Sequence, residues 1–96
     1  AVLCADDPET RALAARSPRA VRTYGFADDA DVRASDVCQS GTEIRFTLHM
    51  PDEIPRDVRL KLPGRHNVQN ACAAVAIALE IGVSADAIVS GLERFG

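Results

Sequence analysis

Two hydrophobic periods meet at Pro63-Gly64, and the change of period there limits the chain to mixed α/β folds. From Thr42 to Met50 apolar residues recur at every second position: Ile44, Phe46 and Leu48 point one way, and Glu43, Arg45, Thr47 and His49 the other. The same period returns over Arg56 to Leu62, with Val58, Leu60 and Leu62 on one face. Alternation of this kind marks half-buried strands. After Gly64 the spacing becomes three and four. Val68, Cys72, Val75 and Leu79 form a helical stripe, and the remaining face, rich in Ala and containing Ile77, is apolar too. A helix over about 65–81 that is apolar all round is expected to be buried on most sides. Gly82 is placed to end it, and Ser84 to cap a second helix running to about Phe95 on Ile88, Val89, Leu92 and Phe95.

The start of the first of these helices carries three polar residues, His66, Asn67 and Asn70. Spacings of three and four put them near one face. Backbone N–H groups are free there, and the dipole end is positive. One reading is a seat for a polar ligand. Asn suits adenine, because one carboxamide can accept from N6–H and donate to N7. The plainer reading is that Asn caps the helix and His is solvated.

Upstream, Ala1 to Ala5 reads as a buried strand, parallel because its run is apolar rather than alternating. Asp6-Asp7-Pro8 ends it. Asp7 can cap a helix over about 8–16, with Pro8 at its first position, and Ser17-Pro18 stops that helix. The aspartate pair suits a metal at a strand end, or more simply a cap beside a solvated carboxylate. Arg19 to Tyr24 is a second strand, broken by Gly25. The order β-α-β predicts a parallel pair, whose carboxyl ends are where ligands gather. Asp31 to Gln39 alternates loosely and joins the two later strands in an antiparallel meander with one wet face. His49 lies on that face, as an exposed histidine without a role. The expected fold class is therefore α/β: a mixed β-α-β unit, a small antiparallel meander and two C-terminal helices.

Several function classes are excluded or unsupported. The net charge is −3, with Lys and Arg scattered, so nucleic-acid binding has no basic stripe to rest on. The three cysteines, Cys4, Cys38 and Cys72, are widely spaced without C-x-x-C. They suit neither a disulfide framework nor a zinc site, and a reducing cytoplasmic setting fits best. Cys4 and Cys72 read as small buried hydrophobes. No apolar run is long enough to span a membrane. Neither G-x-x-x-x-G-K-[ST] nor G-x-G-x-x-G occurs, and no clustered carboxylates suggest Mg²⁺ ligands. The chain opens inside an apolar run and closes at the end of a helical pattern, as a piece of a longer protein would.

The run Pro63-Gly64-Arg65-His66-Asn67, continued by Asn70-Ala71 and Ala73-Ala74, resembles the G-x-H-N-x-x-N-A-x-A-A signature of the Mur ligases. These are ATP-dependent amide-forming enzymes of peptidoglycan precursor synthesis. Ile81-Gly82-Val83, Leu92 with Phe95-Gly96, Tyr24-Gly25-Phe26, Asp29-Ala30-Asp31 and Asp6-Asp7-Pro8 extend the resemblance over essentially the whole chain. The upstream segments favour the member that joins L-alanine to UDP-N-acetylmuramate, or its murein-peptide-recycling relative. The resemblance implies that residues 1–96 are the C-terminal half of a central ATP-binding domain in a three-domain enzyme. It implies ATP and Mg²⁺ as cofactors, with the phosphate loop and the Mg²⁺ ligands upstream of residue 1. His66, Asn67 and Asn70 become nucleotide-site residues, Asn70 reading the adenine edge and the other two supporting it or touching the ribose. No residue matches a catalytic acid or base. The contrasting reading is a non-catalytic interaction module, in which the His-Asn run is only a cap.

Overall fold

The computed structural model describes residues 2–9 and 22–94. Among them five strands form one sheet in sequence order: β1 (Val2–Cys4), β2 (Arg22–Gly25), β3 (Val32–Ser40), β4 (Glu43–His49) and β5 (Arg56–Leu60). The helices α1 (Arg65–Glu80) and α2 (Ala85–Arg94) follow. The expected helix over 8–16 lies outside the described residues beyond Glu9, as do Arg19 to Val21 and Phe95. Its cap is visible, since the Asp7 carboxylate accepts the Glu9 N–H at 3.0 Å.

β1, β2 and β3 run parallel, and β3, β4 and β5 are antiparallel. The meander is thus not a separate sheet but the continuation of the parallel part. A parallel connection usually needs a long crossover. Here β2 and β3 overlap only at Tyr24 opposite Val32 and Gly25 opposite Arg33, so a short loop suffices. Thr23 and Asp31 close that loop reciprocally. The Asp31 carboxylate accepts the Thr23 N–H at 2.8 Å, and the Asp31 N–H donates to the Thr23 hydroxyl at 3.0 Å.

The core lies between the sheet and the two helices. Ile44, Phe46 and Leu48 are buried as their alternation predicts, and Val58 and Leu60 face the same way. Pairing of Ile44 with Leu60 and of Phe46 with Val58 keeps the apolar sets on one side. Val68, Ala71, Cys72, Val75 and Ala76 of α1 and Ile88 and Val89 of α2 complete the cluster. Burial pushes the Cys72 thiol up to about 12, so it behaves as a hydrophobe. Cys4 is only half-buried and Cys38 is exposed.

α1 is not buried on most sides. Ala74 is exposed and Ile77 is 54% exposed, because the helix lays a single face on the sheet and turns the other away. Its end follows expectation. Gly82, at φ 88°, donates to the Leu79 carbonyl, and Val83 donates to that of Ala78. The Ser84 hydroxyl accepts the Ala87 N–H at 3.2 Å and caps α2.

His49 also departs from expectation. It is half-buried, and its Nε2 lies 2.7 Å from the Ser35 hydroxyl. Asp36, at φ 53°, sits in a bulge where the β3–β4 register shifts, and it brings its carboxylate to 3.2 Å from the same hydroxyl. Desolvation first, and then the Arg33 charge, lowers the His49 pKa from its usual 6.5, against an opposing effect of Asp36. The unfolded chain therefore binds this proton more readily than the folded one. The stability this group contributes is whole above 6.5 and is lost as pH falls below it. Urea midpoints measured at about pH 7 and about pH 5 are expected to fall further in the native protein than in His49→Gln.

Candidate functional site

Gly64 sets the entry to α1. At φ 104° it adopts a conformation that L side chains avoid, and its N–H donates to the Gln39 side-chain oxygen at 3.1 Å. The His66 ring folds back over it: a Cβ at Gly64 would lie 2.9 Å from the ring Cε1. No side chain caps the helix. Asn67 instead donates its amide N–H to the Pro63 carbonyl at 2.7 Å, which leaves its own carbonyl oxygen available. The Asn70 carboxamide is exposed and takes no hydrogen-bond partner among the described residues. The capping role open to these residues is therefore not the one they fill.

Asn67 and Asn70 line one groove of about 370 Å³. Its walls are Leu60, Leu62, Ala71, Ala74, Gly91 and Leu92. Each element contributes for a stated reason. β5 and its extension supply leucines from the core-facing side of the strand. α1 supplies two alanines, small enough to leave the space open. α2 supplies Gly91, where an added Cβ would meet nothing within 4 Å. A mostly apolar slot with a few polar groups at its edge is the usual form of a small-molecule site. This one suits a flat heteroaromatic ring whose edge carries donors and acceptors. His66 does not line it. Two residues of the expected triad come together, and the third stands apart because its ring is committed to Gly64.

From the sequence, Asp6 suits either a metal at a strand end or, more simply, a solvated carboxylate beside the Asp7 cap. It is exposed, yet it is the most connected side chain near the site. It accepts the Phe26 N–H at 3.0 Å, the Ala27 N–H at 2.9 Å and the Gln69 side-chain amide at 2.7 Å. A second brace lies beside it, with the Arg65 guanidinium 3.9 Å from the centre of the Phe26 ring. The tyrosine of the expected ligand-gathering strand end, Tyr24, has its pKa raised by burial first and then by Cys4. Among the described residues no three His, Cys, Asp or Glu side chains come together as a group that could hold a metal ion. No helix among them is long and apolar enough to cross a membrane.

Residues 1–78 match the family described as Mur ligase middle domain. A UDP-N-acetylmuramate–L-alanine ligase of Stenotrophomonas maltophilia is 56% identical over 99% of this chain, and one of Xanthomonas campestris is 54% identical over the same share. The chain spans about 20% of the length of these relatives. Among solved structures, MurF from Acinetobacter baumannii superposes with a TM-score of 0.88 at 35% identity, over 99% of this chain and 20% of that one. The UDP-N-acetylmuramate-alanine ligase MurC of Thermotoga maritima superposes with a TM-score of 0.65 at 26% identity, over 77% of this chain and 17% of that one. The sheet and helices are thus shared with solved ligases of different names, and the curated relatives at 54–56% identity are named for the addition of L-alanine. The chain belongs to the Mur ligase middle-domain family.

Proposed function

We propose that the chain is part of an ATP-dependent ligase that joins L-alanine to UDP-N-acetylmuramate, and that the groove between α1 and α2 takes the adenine of ATP. The observation that carries the activity is the 56% identity, over 99% of the chain, to a ligase of that name. The observation that carries the site is the Asn70 carboxamide, without a hydrogen-bond partner among the described residues, in the lining of an apolar groove. In this reading residues 1–96 are the C-terminal half of the central ATP-binding domain. The enzyme is cytoplasmic, where thiols stay reduced.

The chemistry is acyl activation. The substrate carboxylate takes the terminal phosphoryl group of ATP, and the amine of L-alanine attacks the acyl phosphate and expels phosphate. Mg²⁺, when bound, would offset charge during phosphoryl transfer, and its ligands are proposed to lie upstream of residue 1. The part played here is binding and orientation. The leucine and alanine walls exclude water from the two ring faces, and Asn70 pairs with the edge, so the phosphates are directed out of the groove.

The full-length protein is expected to release ADP with UDP-N-acetylmuramate and L-alanine. Product formed only with a tripeptide amine would assign the recycling relative, and no ligation with either would leave the interaction module. Gly91 tests the groove itself. Its Cβ position is open, so Gly91→Leu brings a side chain to the groove wall with no clash at Cβ, and replacing a helical glycine adds about 0.5–1 kcal/mol of stability. The expected result is a KM for ATP raised about tenfold or more with the melting temperature unchanged or higher.

A further inference from the structure

The first two turns of α1 are tied to the carboxyl ends of β1 and β2 through Asp6. This carboxylate stands just past β1. It holds the backbone after β2 by two N–H groups, from Phe26 and Ala27, and holds α1 by Gln69. The Gln69 amide also lies 3.5 Å from the Cys4 sulfur, on the same strand end. The approach depends on Gly25, whose φ of 140° favours glycine and where a Cβ would collide with the Asp6 carboxylate. Amide donors to an ionised carboxylate make stronger hydrogen bonds than neutral pairs. One side chain thus joins three elements that are 20 to 63 residues apart in the chain.

Gln69 immediately precedes Asn70. Successive helical residues differ by about 100° around the axis, so Gln69 reaches the sheet end while Asn70 reaches the groove. Whatever fixes the rotation of the helix at Gln69 fixes it at Asn70. A carboxamide that reads a base edge with two hydrogen bonds must be held within about 0.5 Å. We propose that Asp6 and Gln69 form a latch that sets the rotation of the start of α1, and that both are positioning residues for the nucleotide. The proposal rests on the reading of the groove as the adenine site.

The test uses the full-length enzyme with ATP as the varied substrate. Gln69→Leu keeps the volume and removes the donor. It is expected to raise the KM for ATP about threefold to tenfold with kcat little changed. Gln69→Lys restores an N–H donor to the carboxylate and is expected to return KM to near the native value. A purely structural role would lower the melting temperature in Gln69→Leu and leave KM alone. An unchanged KM in Gln69→Leu, or a Gln69→Lys no better than Gln69→Leu, overturns the latch. Asn70→Ala, assayed in parallel, separates the two claims. If it raises KM and Gln69→Leu does not, the latch alone fails. If neither does, both fail. If only Gln69→Leu does, Asn70 is not the adenine contact, and the latch stands as the device that places another nucleotide contact in the same turn.

Discussion

Replacing Asn70 with alanine in the full-length enzyme is expected to raise the KM for ATP by about tenfold or more and to leave kcat almost unchanged. The size follows from the proposed bidentate contact, since two hydrogen bonds from one carboxamide to a base edge would be worth about 1–3 kcal/mol. The pattern follows from the place. On the proposed reading Asn70 meets the base alone, away from the phosphates and the amine, so its interaction would be the same in the ground state and in the transition state, and its loss is expected to weaken binding without slowing chemistry. Stability is expected to change little, because the exposed Asn70 carboxamide takes no hydrogen-bond partner among the described residues. Steady-state kinetics with ATP varied, beside a melting curve, reads both.

Leu48→Ala has the other large effect, and it falls on the fold. Leu48 is fully buried in β4, where it meets the residues of α1 and β5 that build the core. Truncating such a side chain costs about 2–5 kcal/mol, from lost burial and from the cavity left behind. A native domain holds only about 5–15 kcal/mol in total. The urea midpoint of the domain is therefore expected to drop sharply, and nucleotide binding to fall with it, because the groove wall at Leu60 belongs to the adjoining strand β5.

What could be read from the sequence was whatever local periods and local chemistry decide. The alternation around Phe46, the helical stripe through Val68 and Cys72, the Gly82 stop and the Ser84 and Asp7 caps all involve residues within a few positions of one another. The structure has each of them. What could not be read depends on partners far along the chain. Asp6 has the same local context as Asp7, yet Asp7 caps a neighbouring N–H while Asp6 collects donors from Phe26, Ala27 and Gln69. Nothing in its spacing separates the two. The bulge at Asp36 and the Ser35–His49 pair depend on a register shift between strands, which alternation alone leaves open. Ala74 and Ile77 are apolar residues on a face of α1 that the sheet does not reach, so composition overstated the burial of that helix. His66 shares a helical face with Asn70 by spacing, but Gly64 gives its ring a nearer surface to cover.

If Asn70 reads the edge of adenine, the enzyme distinguishes ATP from its analogue lacking the 6-amino group through that residue. KM for each is measured in the native full-length enzyme and in Asn70→Ala. The native enzyme is expected to prefer ATP by about tenfold, and the preference is expected nearly to vanish in Asn70→Ala, since the amino group has then lost its acceptor. A preference of the same size in both proteins would contradict that role of Asn70 and would place the recognition of the base on other residues.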